Sequence, residues 1–337
     1  MSSDSRISHA SCPARAALAG NPSDGHGGAV VATVVPAVAA HVTVTASDRF
    51  VIGGAGLEFD SLDDLDERLR SDGAGTVQPL VPATLAALHR FLGATMQPVE
   101  IDVSTTIPRS VGLAGSSAIV IATLRALIIH CRGQAWADHL ATRPSVVASI
   151  ALAAEHDVLG IPAGLQDRVV QSLGGTVSMD FATVEHFDGP SSRFTGGAYR
   201  RLGTVPGALF VAYLDGRGTD SGTVHAAVDS TDPAFLDAMH RSGEQARLAA
   251  AAIDAGNTVA LATAMDATYD LRAAVMDLDP RHTEMVRVAR STGAAANFTG
   301  SGGAIVVSTA TAVGADPARA ALTEELGCRV LEVQSPR

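Results

Sequence analysis

Hydrophobic and polar residues follow two periodicities along the first part of the chain. Residues 99–108, VEIDVSTTIP, alternate apolar and polar positions, which is typical of a half-buried strand. Residues 27–54 are rich in valine and threonine, with Pro36 between two halves, and predict two or three strands. Apolar residues recur at helical spacing in residues 60–70 and 82–91. This part of the chain is therefore predicted to mix strands with helices.

The same two patterns continue to the C-terminus. A glycine-serine loop at 108–117 leads into a long apolar helix, and PSVVASIALAAEHDV predicts another. GGTVSMDF predicts a strand, and GALFVAYLD predicts a strand that begins a new unit. Beyond it we expect a helical region from Pro233 to about Leu278, a helix ending near Arg290, the strand GGAIVVST, a helix to Leu326 and a last strand.

These elements predict an α+β protein of two domains, over residues 12–195 and 203–337. Residues 1–11 are polar and lack an apolar core, so they predict a disordered extension and not a signal peptide. The chain has 337 residues and is 47% hydrophobic, which is enough to fill a sizeable core. The apolar stretches 29–46 and 118–129 are interrupted or short, and we expect buried core there and no membrane partner.

Charge and cysteine content exclude several classes of function. All 24 basic residues are arginine, so a lysine-containing phosphate loop and a lysine Schiff base are excluded. The net charge of -11 argues against a nucleic-acid partner, which usually binds a basic surface. Three widely spaced cysteines predict neither a disulfide framework nor a zinc site, and they fit a reducing cytoplasm.

Three short segments carry candidate chemistry. The loop IPRSVGLAGSSAIV precedes a helix whose first N–H groups are suited to an anion, although Ser116 and Ser117 are equally suited to cap that helix. AEHDVLGIPAGLQDRV places Glu155 in a helix and Asp167 in the turn after it, where either carboxylate taken singly fits a solvated side chain. NFTGSGGAIVV contains a glycine-rich loop that also fits a tight hairpin turn.

In this order the segments resemble the motifs of the GHMP kinase family. The family's phosphate loop, PxxxGLxSSA, is matched by Pro108, Gly112, Leu113, Ser116, Ser117 and Ala118, with Ala114 and Gly115 in the middle. CPARAALAGNPSDGHGG resembles the galactokinase stretch APGRVNLIGEHTDYNGG, and Gly300–Gly303 match the third motif. The segments GNPSD, IPRSVGLAGSSAIV, AGLQDRV with the following GG, and MDF most resemble the glucuronokinase branch found in plants.

The resemblance implies a fold and a set of roles. The fold is a ribosomal protein S5 domain 2-like N-terminal domain with a ferredoxin-like C-terminal domain. Residues Gly112 to Ser117 would wrap the phosphates of ATP, and Ser117 and Glu155 would hold Mg²⁺, a hard ion that prefers oxygen ligands. Asp167 would accept the proton of the attacking hydroxyl, and Arg15 would stabilise charge on the moving phosphoryl group.

For the acceptor, the resemblance implies a small molecule and offers several contacts. Asp24 aligns with the galactokinase aspartate that binds sugar hydroxyls, although an aspartate before glycine is also a common turn device. Asn21 replaces the galactokinase glutamate, which argues against galactose. Arg217 is suited to a uronic acid carboxylate, and it also fits an exposed loop. The remaining candidate contacts are His26, Gly27, Gly300, Ser301 and Gly302.

The expected reaction is ATP-dependent phosphorylation of the anomeric hydroxyl of a sugar or uronic acid, to give a sugar 1-phosphate. Two alternatives stay open: a kinase of the same family that acts on a different alcohol, such as mevalonate or homoserine, and a non-catalytic nucleotide-binding relative. The presence of Arg15, Ser117, Glu155 and Asp167 together argues against the last. The oligomeric state is left as monomer or homodimer.

Overall fold

A computed structural model describes residues 7–54, 56–71, 79–93, 96–161, 163–187, 193–216 and 230–333. The first strand, β1 (Ile7–Ala19), begins inside the segment that was expected to be a disordered extension, so that prediction is wrong for residues 7–11. Ser8 to Cys12 pair antiparallel with residues 40–44 of the next strand, and Ser8 and Cys12 point into the protein. The first residues of this strand are mostly small or polar, so the alternation of apolar and polar positions that predicts a strand is not evident in the sequence.

The first sheet has seven strands, and one long strand organises it. This strand, β2 (Ala29–Ala46), pairs with β1 along one edge. Its C-terminal half pairs on the other edge with β5 (Val99–Thr105), and its N-terminal half pairs there with β6 (Thr176–Asp180). The remaining strands are β3 (Phe50–Ile52), β4 (Leu57–Phe59) and β9 (Ala198–Arg201), in the order β4-β3-β5-β2-β6-β9 with β1 beside β2.

Pro36 does not divide the valine-rich segment, contrary to the pattern seen in the sequence. It lies inside β2, where the register with β1 shifts between Pro13 and Ala14. Residues 36–38 have no β1 partner across this bulge, and a proline is tolerated in a strand where no ladder N–H is needed. The bulge therefore keeps an 18-residue strand continuous.

Six helices accompany this sheet in the described part of the chain: α1 (Leu62–Ser71), α2 (Leu80–Leu92), α3 (Gly115–Arg132), α4 (Gln134–Ala141), α5 (Pro144–Ala153) and α6 (Gln166–Leu173). The central one is α3, which packs on β1 and β2. It is also long and apolar enough to cross a membrane by length and composition, but 56% of it is buried in the protein. A helix in the core of a protein meets the same criteria of length and composition, and the sequence predicted buried core for residues 118–129. A short hairpin of β7 (Glu185–Phe187) and β8 (Arg193–Thr195) lies outside the large sheet.

The second sheet is antiparallel and has four strands, β10 (Ala208–Tyr213), β11 (Ala295–Phe298), β12 (Ala304–Thr309) and β13 (Arg329–Glu332), in the order β11-β12-β10-β13. Its helices are α7 (Pro233–Asp254), α8 (Thr258–Val275), α9 (Pro280–Ser291) and α10 (Ala312–Leu326). The two sheets use separate parts of the chain, which is the α+β arrangement expected. The division at residues 195 and 203 stays a prediction.

The helical region after Pro233 is two helices and not one. A turn at Gly256, with a φ of 64°, ends the first, and the side chain of Asn257 accepts the Ala260 N–H at 3.0 Å to begin the second. Positive φ favours glycine, and asparagine is a strong N-cap. The glycine and the asparagine are both present in the sequence AIDAGNTVA. The alanines on either side continue the helical pattern, so the turn was not predicted.

Contacts near Gly20 join the first sheet to helices that accompany the second. Gly20 directly follows β1, its N–H donates to Thr268 Oγ1 on α8 at 3.2 Å, and its φ is 93°. A Cβ at this position would lie 2.2 Å from the Ala29 carbonyl oxygen and 2.7 Å from the Ala246 Cβ on α7. There is therefore no room for a side chain at residue 20.

We expect Gly20→Ala to lower the free energy of unfolding by about 3 kcal/mol, because a left-handed conformation and an overpacked contact add together. The control is Gly256→Ala, which has a similar φ sign but no atom within 4 Å of the new Cβ, and should cost only about 1 kcal/mol. Urea titration of both variants measures the difference. Equal losses would contradict the close packing assigned to Gly20.

Candidate active site

One cavity of about 660 Å³ lies between the N-terminal sheet, α6 and the β11–β12 hairpin. Its volume suits a small-molecule ligand. One part of its wall is apolar and is formed by Leu80, Val81, Val103, Ile107, Ile119 and Ile161. Another part is charged and is formed by Arg15, Asp24, Glu155, Asp167, Arg168 and Arg272. The cavity therefore offers an apolar surface and a set of buried charges to the same ligand or ligand pair.

The glycine-serine loop forms one side of this cavity. Pro108 and Gly112 to Ser116 line it, whereas Ser117 and Ala118 are buried beneath the surface. Ser110 and Ala114 both have positive φ, near 57°, which is uncommon for residues other than glycine and marks functional loops. Helix α3 begins at Gly115, and no side chain caps it. The capping alternative is therefore not what the structure shows, and the first N–H groups of α3 are available to an anion.

Ser117 and Glu155 both bond to one face of α6. The Ser117 hydroxyl donates to Gln171 Oε1 at 2.7 Å, and Arg168 donates through Nη2 to Glu155 Oε2. Because residues 168 and 171 are three apart on a helix, they are neighbours on its surface. Glu155 sits in a single π-helical turn, residues 154–158, a feature often found at functional sites.

The oxygen atoms of these two side chains are of the type that magnesium prefers, and its binding here stays a prediction. Mg²⁺ usually takes one or two carboxylates and completes its shell with water and phosphate oxygens, so it needs no larger cluster. No cluster of three or more His, Cys, Asp and Glu side chains suited to a metal occurs in the described residues. Donation of the Ser117 proton to Gln171 leaves the hydroxyl lone pairs for a cation, and Arg168 bonds to Oε2 of Glu155, which leaves Oε1.

Arg15 joins the three sequence motifs. Its Nε donates to Asp167 Oδ1 at 2.6 Å, and its Nη1 donates to the carbonyl oxygens of Gly112, at 2.8 Å, and Thr299. The Arg15 side chain is 6% exposed and that of Asp167 is 21% exposed. Asp167 lies in the first turn of α6, and not in the preceding turn as expected. The ion pair fixes this carboxylate at the cavity wall with part of it still accessible.

Asp24 is buried beside the start of α6. Its Oδ2 accepts the N–H groups of Leu165 and Gln166, at 3.0 and 3.2 Å, and its Oδ1 accepts Gln166 Nε2 at 3.0 Å. The carboxylate therefore caps the helix that carries Asp167, and it also lines the cavity. Contact between Asp24 and a substrate stays a prediction, with the cap as a second role that the sequence did not indicate.

The other residues expected at the substrate divide into two groups. Asn21, Gly300 and Ser301 line the cavity, but the Asn21 amide already bonds to the Phe298 carbonyl and to the Asn297 side chain. His26, Gly27 and Gly302 are not among the residues that line the cavity, so the structure does not place them at a substrate. His26 is exposed and packs edge-on against Phe235, 5.1 Å between ring centres. Arg217 lies outside the described residues.

The third motif is the hairpin between β11 and β12, which confirms the hairpin interpretation, and its part in binding stays a prediction. It lies directly against the phosphate loop, since a Cβ on Gly112 would come within 2.8 Å of the Gly302 carbonyl oxygen. Gly112 has a φ of 73°, and glycine is required there for both reasons. The two glycine-rich loops therefore form one continuous wall.

Sequence reasoning missed three side chains of the site. Arg168 and Gln171 stand one and four positions after Asp167, so helical spacing alone could have placed Gln171 on the same face. Arg272 lies within a run of α8 that reads as an ordinary amphipathic helix, and no local pattern distinguishes it. Its place in the cavity depends on the packing of α8 against β11.

Comparison with known proteins identifies the same fold and family. Residues 80–175 match the model of the GHMP kinases N terminal domain. Glucuronokinase 1 of Arabidopsis thaliana is 33% identical over 311 residues, covering 87% of this chain and 83% of that protein. Streptococcus pneumoniae phosphomevalonate kinase in complex with phosphomevalonate and AMPPNP superposes with a TM-score of 0.74 at 14% identity, covering 96% of this chain and 98% of that one. Lactococcus lactis galactokinase complexed with galactose gives 0.70 at 14%, covering 98% and 94%.

The likeness to the plant protein extends over most of both chains, and the solved structures share the fold. The chain therefore belongs to the GHMP kinase family and is a kinase, a phosphotransferase with an alcohol group as acceptor.

Proposed function

We propose that this kinase transfers the γ-phosphoryl group of ATP to the anomeric hydroxyl of a sugar acid and releases a sugar 1-phosphate and ADP. The observation that carries the proposal is the Asp167 carboxylate, held by Arg15 at 2.6 Å on the wall of a cavity that also contains the uncapped start of α3. A carboxylate beside an anion site is the arrangement that phosphoryl transfer to a hydroxyl requires.

The nucleotide half of the cavity supports ATP as donor. The N–H groups at the start of α3 and the positive end of its dipole favour a phosphate chain. The apolar residues Leu80, Val103 and Ile119 offer a surface for a base. Ser117 and Glu155 would hold the magnesium ion, which when bound neutralises charge on the phosphate oxygens.

The acceptor half supports an activated hydroxyl. Oδ1 of Asp167 accepts a hydrogen bond from Arg15, and the other carboxylate oxygen accepts the proton of the acceptor hydroxyl as the new P–O bond forms. The bond between the γ-phosphorus and its bridging oxygen breaks, and the electron pair leaves with ADP. Arg15 lies between Asp167 and the Gly112 carbonyl of the phosphate loop, so its charge stabilises the phosphoryl group in transit.

A sugar acid is favoured as acceptor by two considerations. The plant relative at 33% identity is a glucuronokinase by name. The cavity also holds an excess of positive charge, because four arginines and three carboxylates line it. Arg15 and Arg168 are paired with Asp167 and Glu155, so the positive charge without a carboxylate partner in this wall lies on Arg109 and Arg272. A carboxylate-bearing acceptor supplies a local counter-charge there that a neutral sugar lacks.

We test the function by measuring ADP release with magnesium and ATP against a panel of D-glucuronic acid, D-galacturonic acid, glucose, galactose, mevalonate and homoserine. We expect the sugar acids to be the best acceptors, and the phosphorus resonance of the product should couple to the anomeric proton. Transfer to mevalonate or homoserine alone would contradict the proposed acceptor, and phosphate on another carbon would contradict the proposed position.

Replacement of Asp167 by asparagine preserves the size of the side chain and removes the proton acceptor. We expect turnover to fall roughly 100- to 10,000-fold, while the affinity for ATP measured by calorimetry stays unchanged. The control is Asp180→Asn, since Asp180 also pairs with an arginine, Arg247, at 3.0 Å but lies on the surface. That variant should retain full turnover, and unchanged turnover in Asp167→Asn would remove the aspartate from the mechanism.

Replacement of Asp24 by alanine separates its two roles. If Asp24 contacts the acceptor, the acceptor KM should rise roughly tenfold or more while the KM for ATP changes little. The control is Asp232→Ala, which removes the N-cap of α7, where Asp232 accepts the Ala234 N–H at 3.0 Å far along the chain from the cavity residues. Both variants should lose about 1 kcal/mol of stability as caps. Equal changes in the KM of acceptor and ATP would show that Asp24 acts only as a cap.

A further inference from the structure

Arg272 on α8 is a buried arginine that has no acidic partner among the described residues. Three arginines are buried in the described part of the chain, and two of them have a carboxylate: Arg15 pairs with Asp167, and Arg168 pairs with Glu155. Arg272 is 2% exposed and donates instead to two carbonyl oxygens, those of Gly300 at 2.7 Å and Ser301 at 3.3 Å.

This charge is costly to bury. Removing a guanidinium from water without an opposite charge is unfavourable by several kcal/mol. Burial lowers the pKa of Arg272 to about 10, and the nearby charge of Arg15 lowers it as well. The side chain is therefore still cationic at neutral pH, and its guanidinium lies 5.2 Å from the centre of the Phe298 ring, which offsets part of the cost. A buried cation of this kind is suited to a ligand that brings the missing negative charge.

Arg272 forms part of the wall of the cavity already described. It lines that cavity together with Arg15, Asp167 and Ser301. Its Nη1 and Nη2 each bond to one carbonyl oxygen, and its Nε is enclosed by protein and closed to a ligand. Since each terminal nitrogen of a guanidinium carries two N–H groups, a second N–H remains on both Nη1 and Nη2. Two parallel N–H groups match the two oxygens of a carboxylate.

The acceptor's carboxylate is a better match for this pair than the phosphoryl group. The phosphoryl oxygens have the N–H groups of α3 and the Arg15 charge. The remaining arginine of the cavity wall, Arg109, is exposed on the phosphate loop. Arg272 is thus the buried cation of the described wall that neither the phosphate loop nor an acidic side chain uses.

We propose that Arg272 binds the carboxylate of the acceptor through its remaining Nη1–H and Nη2–H, and that it thereby selects sugar acids over neutral sugars. This assignment rests on the proposed function, because it takes the acceptor to be a sugar acid. It makes Arg272 a specificity residue and leaves proton transfer to Asp167. The rigid anchoring of its guanidinium on Gly300 and Ser301 means that little side-chain entropy is lost when the carboxylate binds.

The test compares D-glucuronate, D-glucuronamide and glucose, of which only D-glucuronate carries a negative charge at carbon 6. Binding of each to the whole protein is measured by calorimetry without nucleotide, and kcat/KM is measured with ATP and magnesium. We expect Arg272→Gln to weaken glucuronate binding roughly 30- to 1,000-fold and to change glucose and glucuronamide binding little. Arg272→Lys should recover part of the affinity, since it restores the charge without the parallel pair. The KM for ATP should stay unchanged in both.

The control for loss of one positive charge is Arg241→Gln, an exposed residue of α7 whose nearest acidic partner is Asp237 at 3.6 Å. It should leave all three affinities unchanged. Thermal unfolding checks that the Arg272 variants fold, and the lysine variant gives the answer if the glutamine variant does not fold. Wild-type protein that binds glucuronate and glucuronamide equally would overturn the proposal without any variant.

Two further results have distinct meanings. An equal loss for acid and neutral acceptors, together with a raised KM for ATP, would assign Arg272 to the transferring phosphoryl group and overturn its role in specificity. If the wild-type protein phosphorylates no sugar or sugar acid, the proposed function fails. A selective loss of glucuronate binding in Arg272→Gln would support the assignment even then, so the two failures are distinguishable.

Discussion

The site depends on the ion pair between Arg15 and Asp167, because the same guanidinium also holds two carbonyl oxygens on loops that are 187 residues apart in the chain. A main-chain hydrogen bond also fixes the position of Arg15 in β1, since the Arg15 N–H donates to the Leu113 carbonyl oxygen at 3.2 Å. A planar side chain with several fixed donors can make these contacts at once, whereas a lysine ammonium would act as a single point. The distance between phosphate loop, hairpin and catalytic carboxylate is therefore set by one residue.

Helix α6 is the second determinant of the site, although it has only eight residues. A helix this short is marginal by itself, so its stability comes from tertiary contacts. Asp24 caps its first turn, Arg168 pairs with Glu155, and Gln171 Nε2 bonds to the Pro13 carbonyl oxygen of β1 at 2.9 Å. Each contact that stabilises the helix also orients Asp167. The stability of α6 and the geometry proposed for catalysis therefore depend on the same contacts.

The sequence predicted the parts of this arrangement that depend on local chemistry. Glycine-rich loops, the long apolar helix behind the phosphate loop and most strands follow from patterns within a few residues. The long-range pairings were not predictable in this way. The cap that Asp24 provides spans 141 residues, and the Asn21 amide meets Asn297 only when β1 and β11 come together. The strand at residues 7–11 was missed because its residues are small and polar, and the Gly256 turn was missed because alanines on both sides continue the helical pattern.

The arginines of the cavity also show how an acidic protein of net charge -11 makes a site for anions. Their guanidiniums bond to main-chain carbonyl oxygens as well as to acids: Arg168 to Gly164, and Arg272 to Gly300 and Ser301. Carbonyl dipoles stabilise a buried cation without neutralising it, so the positive charge stays available to a ligand. A cleft with low-dielectric walls concentrates such a field, whereas the surface carboxylates are screened by solvent and salt. The attraction of anionic substrates that the proposed function requires therefore follows from the local arrangement of charge and does not require a basic protein.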